Sequence, residues 1–525
     1  MSNVLRAPVR YRILLLIVAG IFLLFSCDTI ADDSDNSGGG GGGSEPVPGP
    51  EPEPEKSPVY EVSLDDSDNG SVTLTGLSPD NEVYLVKLNP SGFQRSASVM
   101  PTSPVPGING IRVPSGTVTI DGETFIRYEM QWQINLPPQS QSLLPINRNV
   151  ASDYVTAKVG ETKEFEETNA TLIKIGEYCK IWVGDGYFDE TSSDTNDNKV
   201  NQTQINDLAA KFDEIYDLET NLLGYEHGGG PDGNGGTDGD LRIQILVYKM
   251  GSGVLGSFYA ADELEGYNNN AEIFYLNSRY LDQSPEDIYS TLIHEFNHMI
   301  NFNVKCMEGQ WGYDNWNTGG WYTEMLSMLA EDVIGPLVGI TSDNDAHVIR
   351  SHIPTWLNTY ADYSVMQWGD KYEYYPSNYA FGAYLVRNFG GPQLLSRIAK
   401  SPKGGRDSLD ESLRALNGSN IDTEYALTRF AEVLVYSGQN KPVGVYSFDN
   451  TVTGRIGDVD YTFDSFDIWT KWSGPKVSPY EEGVPNNITP YTIQMFSHND
   501  WKNKSEVTVN VSKGNLDVRY FVMVR

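Results

Sequence analysis

Apolar and polar residues alternate in short runs from position 59 to about 144. Ser71–Thr75, Glu82–Leu88 and Gly116–Ile120 are rich in β-branched and aromatic residues, with Gly, Pro, Asn and Asp between them. That period of two predicts strands, and the region 59–150 reads as a small β-sandwich-like domain. From 151 to 438 the pattern changes. Ala170–Ile175, Cys179–Val183, Leu241–Val247 and Ala271–Leu276 are strand-like. Between them, Ile205, Leu208, Ala209, Phe212, Ile215 and Tyr216 recur at helical spacing and predict a helix over roughly 202–222. After Ser284 helices dominate. The remainder, 439–525, returns to β character in Glu506–Val511 and Asp517–Val522 and reads as a C-terminal β-domain. No internal repeat is visible.

A stretch at the start stands outside this pattern. Arg6, Arg10 and Arg12 precede the apolar run Ile13–Phe25, which is short for a membrane span and has the proportions of a secretory signal. It ends Leu24-Phe25-Ser26-Cys27, which resembles the lipobox of bacterial lipoproteins. That resemblance implies that 1–27 is a signal peptide and that Cys27 is acylated. The protein would then sit in the bacterial cell envelope, lipid-anchored and extracytoplasmic, with the membrane as a partner through its lipid. An uncleaved signal anchor is the alternative. Residues 28–58 carry an unbroken glycine run, Gly38–Gly43, and then a proline-rich run, the composition of a tether.

Composition narrows the partners. A net charge of −34 repels phosphate backbones, so nucleic acid is excluded as a partner. An apolar content of 39% is enough to bury real cores, which argues against disorder. Besides Cys27 only Cys179 and Cys306 remain, and they are equally compatible with one disulfide or two buried thiols.

The chemistry concentrates in one segment. His294-Glu295-Phe296-Asn297-His298 lies in a run opened by Ser284, an N-cap residue, then Pro285, Glu286 and Asp287, a helix start with acids in its first turn. Two histidines four apart share one helical face, so both imidazoles can reach one metal ion. Zinc accepts such nitrogen ligands and keeps a position open for water, whose proton the adjacent Glu295 can take. The apolar neighbours Leu292, Ile293, Phe296, Met299 and Ile300 argue against two merely exposed histidines. A third ligand is needed. Asn301 and Val304 stand where a metzincin requires glycine and histidine, so that class is rejected. Glu324, 26 residues after His298 in an apolar helical run, is the candidate. Glu331 shares its face and is either the rival ligand or an acceptor behind a ligand histidine.

His-Glu-x-x-His followed by Trp321-x-x-Glu324 resembles the gluzincin clan, and the run from Ala170 to about Gly391 is similar to the hyicolysin family of secreted metallopeptidases. The resemblance implies an α+β fold: a zincin-type catalytic domain at 151–438, with a mixed sheet, an active-site helix and a mainly helical subdomain, flanked by the two β-domains. It also implies one zinc per chain held by His294, His298 and Glu324, Glu295 as general base, and a protein or peptide substrate. The segment Tyr379-Ala-Phe-Gly382 resembles the gluzincin element that steadies an oxyanion. Tyr379 is therefore the candidate, with Tyr374, Tyr375 and Tyr384 as rivals. The absence of the exopeptidase motif Gly-x-Met-Glu-Asn favours an endopeptidase.

Two further features are weighed. Ala271–Asn277 is a candidate edge strand for a substrate peptide, or a plain core strand. The Gly-rich segment 228–240 offers Asp232, Asn234, Asp238 and Asp240 as possible calcium ligands, or is simply a polar loop. Against the peptidase stands a surface adhesion or binding lipoprotein with a non-catalytic metal site. Structural zinc sites are usually closed by four ligands with cysteine among them, which this motif lacks.

Overall fold

The structure is a computed structural model. It describes residues 58–90, 153–191, 198–264, 269–369, 371–438, 441–481, 488–512 and 518–525, with the backbone of strands 110–120 and 123–132. The chain divides into Met1–Lys56 and Ser57–Arg525, and the described residues all belong to the second unit. Cys27, the signal segment and the tether therefore lie outside the described residues.

Within 153–277 six strands form one mixed sheet. Cys179–Gly184, Ile243–Tyr248 and Ile273–Asn277 are parallel neighbours. Asn169–Ile175 and Thr162–Glu164 extend one side antiparallel, and the short Gly256–Phe258 closes the other side against Ile273–Asn277. Side chains alternate across this sheet as the pleat requires. Ile181, Ile245 and Phe274 face the main core, while Trp182, Leu246, Ile273 and Tyr275 face a smaller one. Ile273–Asn277 is thus an interior strand. On that side the sheet ends in Gly256–Phe258, a buried three-residue strand too short to register in a sequence pattern.

The helix Gln202–Leu223 covers the main-core face and buries the six apolar residues expected of it. Asn201 caps it by a reciprocal box with Gln204, which satisfies two otherwise orphaned N–H groups. The helix Pro285–Phe302, which carries His294 and His298, and the helix Gly320–Ile334 pack beside it. Tyr374–Phe389 packs on Gly320–Ile334 at close range, because Gly382 leaves room where a Cβ would stand 2.7 Å from Met325 Cγ.

The expectation of separate flanking β-domains needs correction. Val83–Leu88 pairs with Ile493–Ser497 on one side and Arg519–Val524 on the other, and Asn69–Thr75 pairs with Glu506–Ser512. The two chain ends therefore build one β unit together. Neither end alone carries enough strands to bury both faces, and pairing solves that for both. Tyr84, Val86 and Leu88 point into the main core, and Val83 and Leu85 into a second core with Val507 and Val509. The boundary at 439 shifts as well. The hairpin Val452–Ile456 with Val459–Phe463 sends Tyr461 and Phe463 into the main core. Cys179 and Cys306 are free thiols, so no disulfide joins them.

Candidate metal centre

Ser284 stands at the N-cap of the helix Pro285–Phe302, and its hydroxyl bonds the Asp287 carboxylate instead of a backbone N–H. Four residues of spacing then place His294 one turn below His298, with the ring centroids 4.8 Å apart. Both rings are buried, as are Glu295 and Glu324. The helix Gly320–Ile334 returns across the face they present.

Glu324 meets both histidines there. Its Oε2 lies 3.0 Å from His294 Nε2 and its Oε1 lies 3.5 Å from His298 Nε2, while the two Nε2 atoms are 3.1 Å apart. One ligand atom from each of the three residues falls within 4.8 Å of the others, the one such group among the described residues. Glu331, one helical stretch further on, turns to the opposite ring atom and receives His294 Nδ1 at 2.8 Å. Ser290 donates to the other Glu331 oxygen at 2.5 Å. In this arrangement Glu331 backs a histidine and Glu324 joins the cluster.

These partners set the tautomers. A carboxylate acceptor at His294 Nδ1 favours the proton on that nitrogen, which would leave Nε2 its lone pair for a cation. His298 Nδ1 has Ser327 Oγ at 3.4 Å, and that hydroxyl can donate onward to Asn297 Oδ1 at 3.1 Å. The two Nε2 atoms and the Glu324 carboxylate face one another. Such an arrangement repels itself unless a proton or a cation lies between the groups. Burial alone would raise the Glu324 carboxyl, but His298 and His294 hold it down at about 2. Burial likewise opposes the charge on Glu331, and the hydrogen bond from His294 prevails, keeping its carboxyl below the ordinary range. Two nitrogens and one carboxylate, with no fourth protein ligand from the described residues, form a donor set that suits zinc with an open position.

Glu295 is buried beside this cluster, against the edge strand. A Cβ on Gly256 would stand 2.6 Å from Thr291 Cγ2, 2.9 Å from the Tyr275 carbonyl oxygen and 3.2 Å from Glu295 Cγ. Glycine at 256 thus lets the sheet edge lie directly on the helix turn that carries Glu295.

Tyr379 is fully buried and donates its hydroxyl to Asp332 Oδ2 at 2.9 Å. Asp332 is held from its other side by Arg387, at 2.9 and 3.1 Å, in a buried bidentate pair. Burial, followed by the charge of Asp332, pushes the Tyr379 phenol well above its usual value. Tyr384 donates to the Ala426 carbonyl at 2.8 Å. Tyr375 sets its ring edge-on to Trp368, and Tyr374 packs edge-on against Tyr363.

The proposed calcium series does not converge. Asp232 and Asn234 are exposed. Asp238 accepts from Gln244 Nε2 and the Asp240 N–H, and Asp240 is paired with Lys180 at 2.5 Å. Sequence reading missed the supporting groups: Ser290, Ser327, Gly256 and the Asp332–Arg387 pair. Two of them carry a signal: Ser290 is four residues before His294, and Ser327 shares the helical face of Glu324 and Glu331.

No family model matches the chain. One curated relative, the neutral metalloprotease ShpI of Staphylococcus hyicus, is 25% identical over 291 residues. The match takes in 51% of this chain and 58% of that protein, so the chain spans little more than half the relative's length. The similarity supports a distant relationship to a metalloprotease.

Proposed function

We propose that this chain is a zinc-dependent endopeptidase, exported and lipid-anchored through Cys27 in a bacterial cell envelope. The observation that carries the catalytic part is the convergence of His294 Nε2, His298 Nε2 and Glu324 within 4.8 Å, beside a buried Glu295. The relative's name agrees with a peptidase. His294, His298 and Glu324 would hold the ion, with Glu331 and Ser327 keeping the two rings turned correctly. Zinc bound there supplies Lewis acidity and makes water nucleophilic near neutral pH. Glu295 accepts a proton at its carboxylate as the scissile carbonyl is attacked, then returns it to the departing amine. The N-terminal lipid would keep the catalytic body outside the membrane at the reach of the Gly/Pro-rich tether.

The test is Glu295→Gln in the purified protein, assayed on casein and on peptides blocked at both ends. Zinc retained with turnover lost by about 10³-fold or more supports the general base. Undiminished cleavage would remove Glu295 from the reaction, and failure to cut blocked peptides would remove the endopeptidase assignment.

A further inference from the structure

Lys305 is fully buried, and its ammonium meets backbone. It donates to three carbonyls, those of Ile398 at 2.6 Å, Ala399 at 2.8 Å and Ser401 at 2.7 Å. An ammonium carries three N–H donors, so the set is complete. The acceptors lie at the C-terminal end of the helix Gly391–Lys400, where carbonyls run out of partners within the helix and the dipole is negative. Lys305 itself continues the helix that carries His294 and His298. Asn303–Met307 extend that helix as a wider π turn, closed by the Glu308 N–H on the Asn303 carbonyl at 2.9 Å. About two helical turns separate Lys305 from His298.

The helix that carries Glu324 reaches the same anchor. Tyr322, two residues before Glu324 and fully buried, donates its hydroxyl to the Ile398 carbonyl at 3.5 Å. Its ring lies 5.7 Å from the Lys305 ammonium. Trp311 binds these parts together. Its backbone N–H donates to the Lys305 carbonyl at 2.9 Å, and its ring stands edge-on to Tyr322 at 5.3 Å. Gly319 and Gly404 make room for that ring, since a Cβ on either would stand 2.2 Å from it. Both ligand-bearing helices are thus fastened to the end of a third helix that supplies no ligand. A zinc site tolerates errors in ligand distance of only about 0.2 Å, so the relative setting of the two helices matters.

We propose that Lys305 is a positioning residue of the metal centre, which sets the helix of His294 and His298 against the helix of Glu324 by pinning their common anchor. The inference rests on the zinc reading of those three ligands. Ser408 supplies the contrast. It is equally buried and donates to the same Ile398 carbonyl at 3.1 Å, but its helix, Gly405–Asn417, carries no ligand. Losing Ser408 weakens the anchor, whereas losing Lys305 frees a ligand helix from it.

The experiment is cobalt binding to the purified full chain after chelation, followed by chelator competition and by the d–d absorption of the ion, well below each variant's Tm. Wild type should bind about one cobalt per chain. Lys305→Met should weaken binding about tenfold and change the absorption, which reports ligand geometry. Ser408→Ala should lower Tm by roughly 1–4 °C and keep cobalt affinity within about twofold. Wild-type affinity in Lys305→Met, or an equal loss in Ser408→Ala, would overturn the positioning role and leave the metal site standing. Wild type that binds no cobalt would overturn both. Lys305→Gln, which keeps two of the three donors, decides the matter if the methionine variant does not fold. It should lose at least about threefold in affinity, and undiminished binding there overturns the inference.

Discussion

Glu331 grips His294 through Nδ1 at 2.8 Å while Glu324 approaches the same ring through Nε2 at 3.0 Å. One imidazole is thus held between two carboxylates on one helix, seven residues apart. The inner one faces the ligand position and the outer one fixes the ring. Glu331→Ala should therefore weaken zinc affinity by roughly 10- to 100-fold without removing the site. Competition with a chelator measures this. An unchanged affinity would mean that the outer carboxylate plays no part in orienting His294.

The Tyr379 hydroxyl is engaged by Asp332, within a buried pair with Arg387. Tyr379→Phe should cost about 1 kcal/mol of stability and leave kcat within a few-fold. Asp332→Ala, which strands a buried guanidinium, should cost about 3–5 kcal/mol. Denaturant titration beside steady-state kinetics separates the two effects. A hundred-fold loss of kcat in a fully stable Tyr379→Phe protein would return the phenol to the reaction.

Gly256 has no room for a side chain between Thr291 and the Tyr275 carbonyl. Gly256→Val should push the edge strand off the active-site helix. The expected result is a fall in kcat/KM of at least about tenfold, with a stability loss of about 1–3 kcal/mol from overpacking. Activity equal to wild type would separate this edge from catalysis.

Burial raises the carboxyls of Asp262, Glu226 and Glu272 to about 7, against ordinary values near 4. Between those limits the folded chain binds more protons than the unfolded chain, so stability falls as pH rises from about 4.5 to 7. Metal-free protein should accordingly melt at a lower temperature at pH 7.5 than at pH 5.5, and Asp262→Asn should flatten that slope. A melting temperature that climbs over this interval in the metal-free protein would contradict the assignment.

Much of this was legible in the sequence where a local rule governs. The spacing of His294 and His298 is a helical property, and the apolar stripe of Gln202–Leu223 reads directly as a buried face. The position of Glu324 was legible as a candidate because an acid in an apolar helix needs a reason. What escaped depends on the packing of distant segments. Nothing local says that Val83–Leu88 pairs with strands more than 400 residues later, or that Gly256 marks a sheet edge. The partner of Tyr379 was not legible locally, because Asp332 is 47 residues away. Asp232 and Asn234 turn outward, as oxygen-rich loops do by default.

The central claim is that His294, His298 and Glu324 together hold one zinc that cleavage requires. Metal content of the purified protein, wild type against Glu324→Ala, tests it most directly, with casein cleavage followed on the same samples. The account predicts about one zinc per chain in wild type, and loss of both zinc and cleavage in the variant. Wild-type protein that cleaves casein while holding no zinc, or a Glu324→Ala protein that keeps its zinc and its activity, would contradict it.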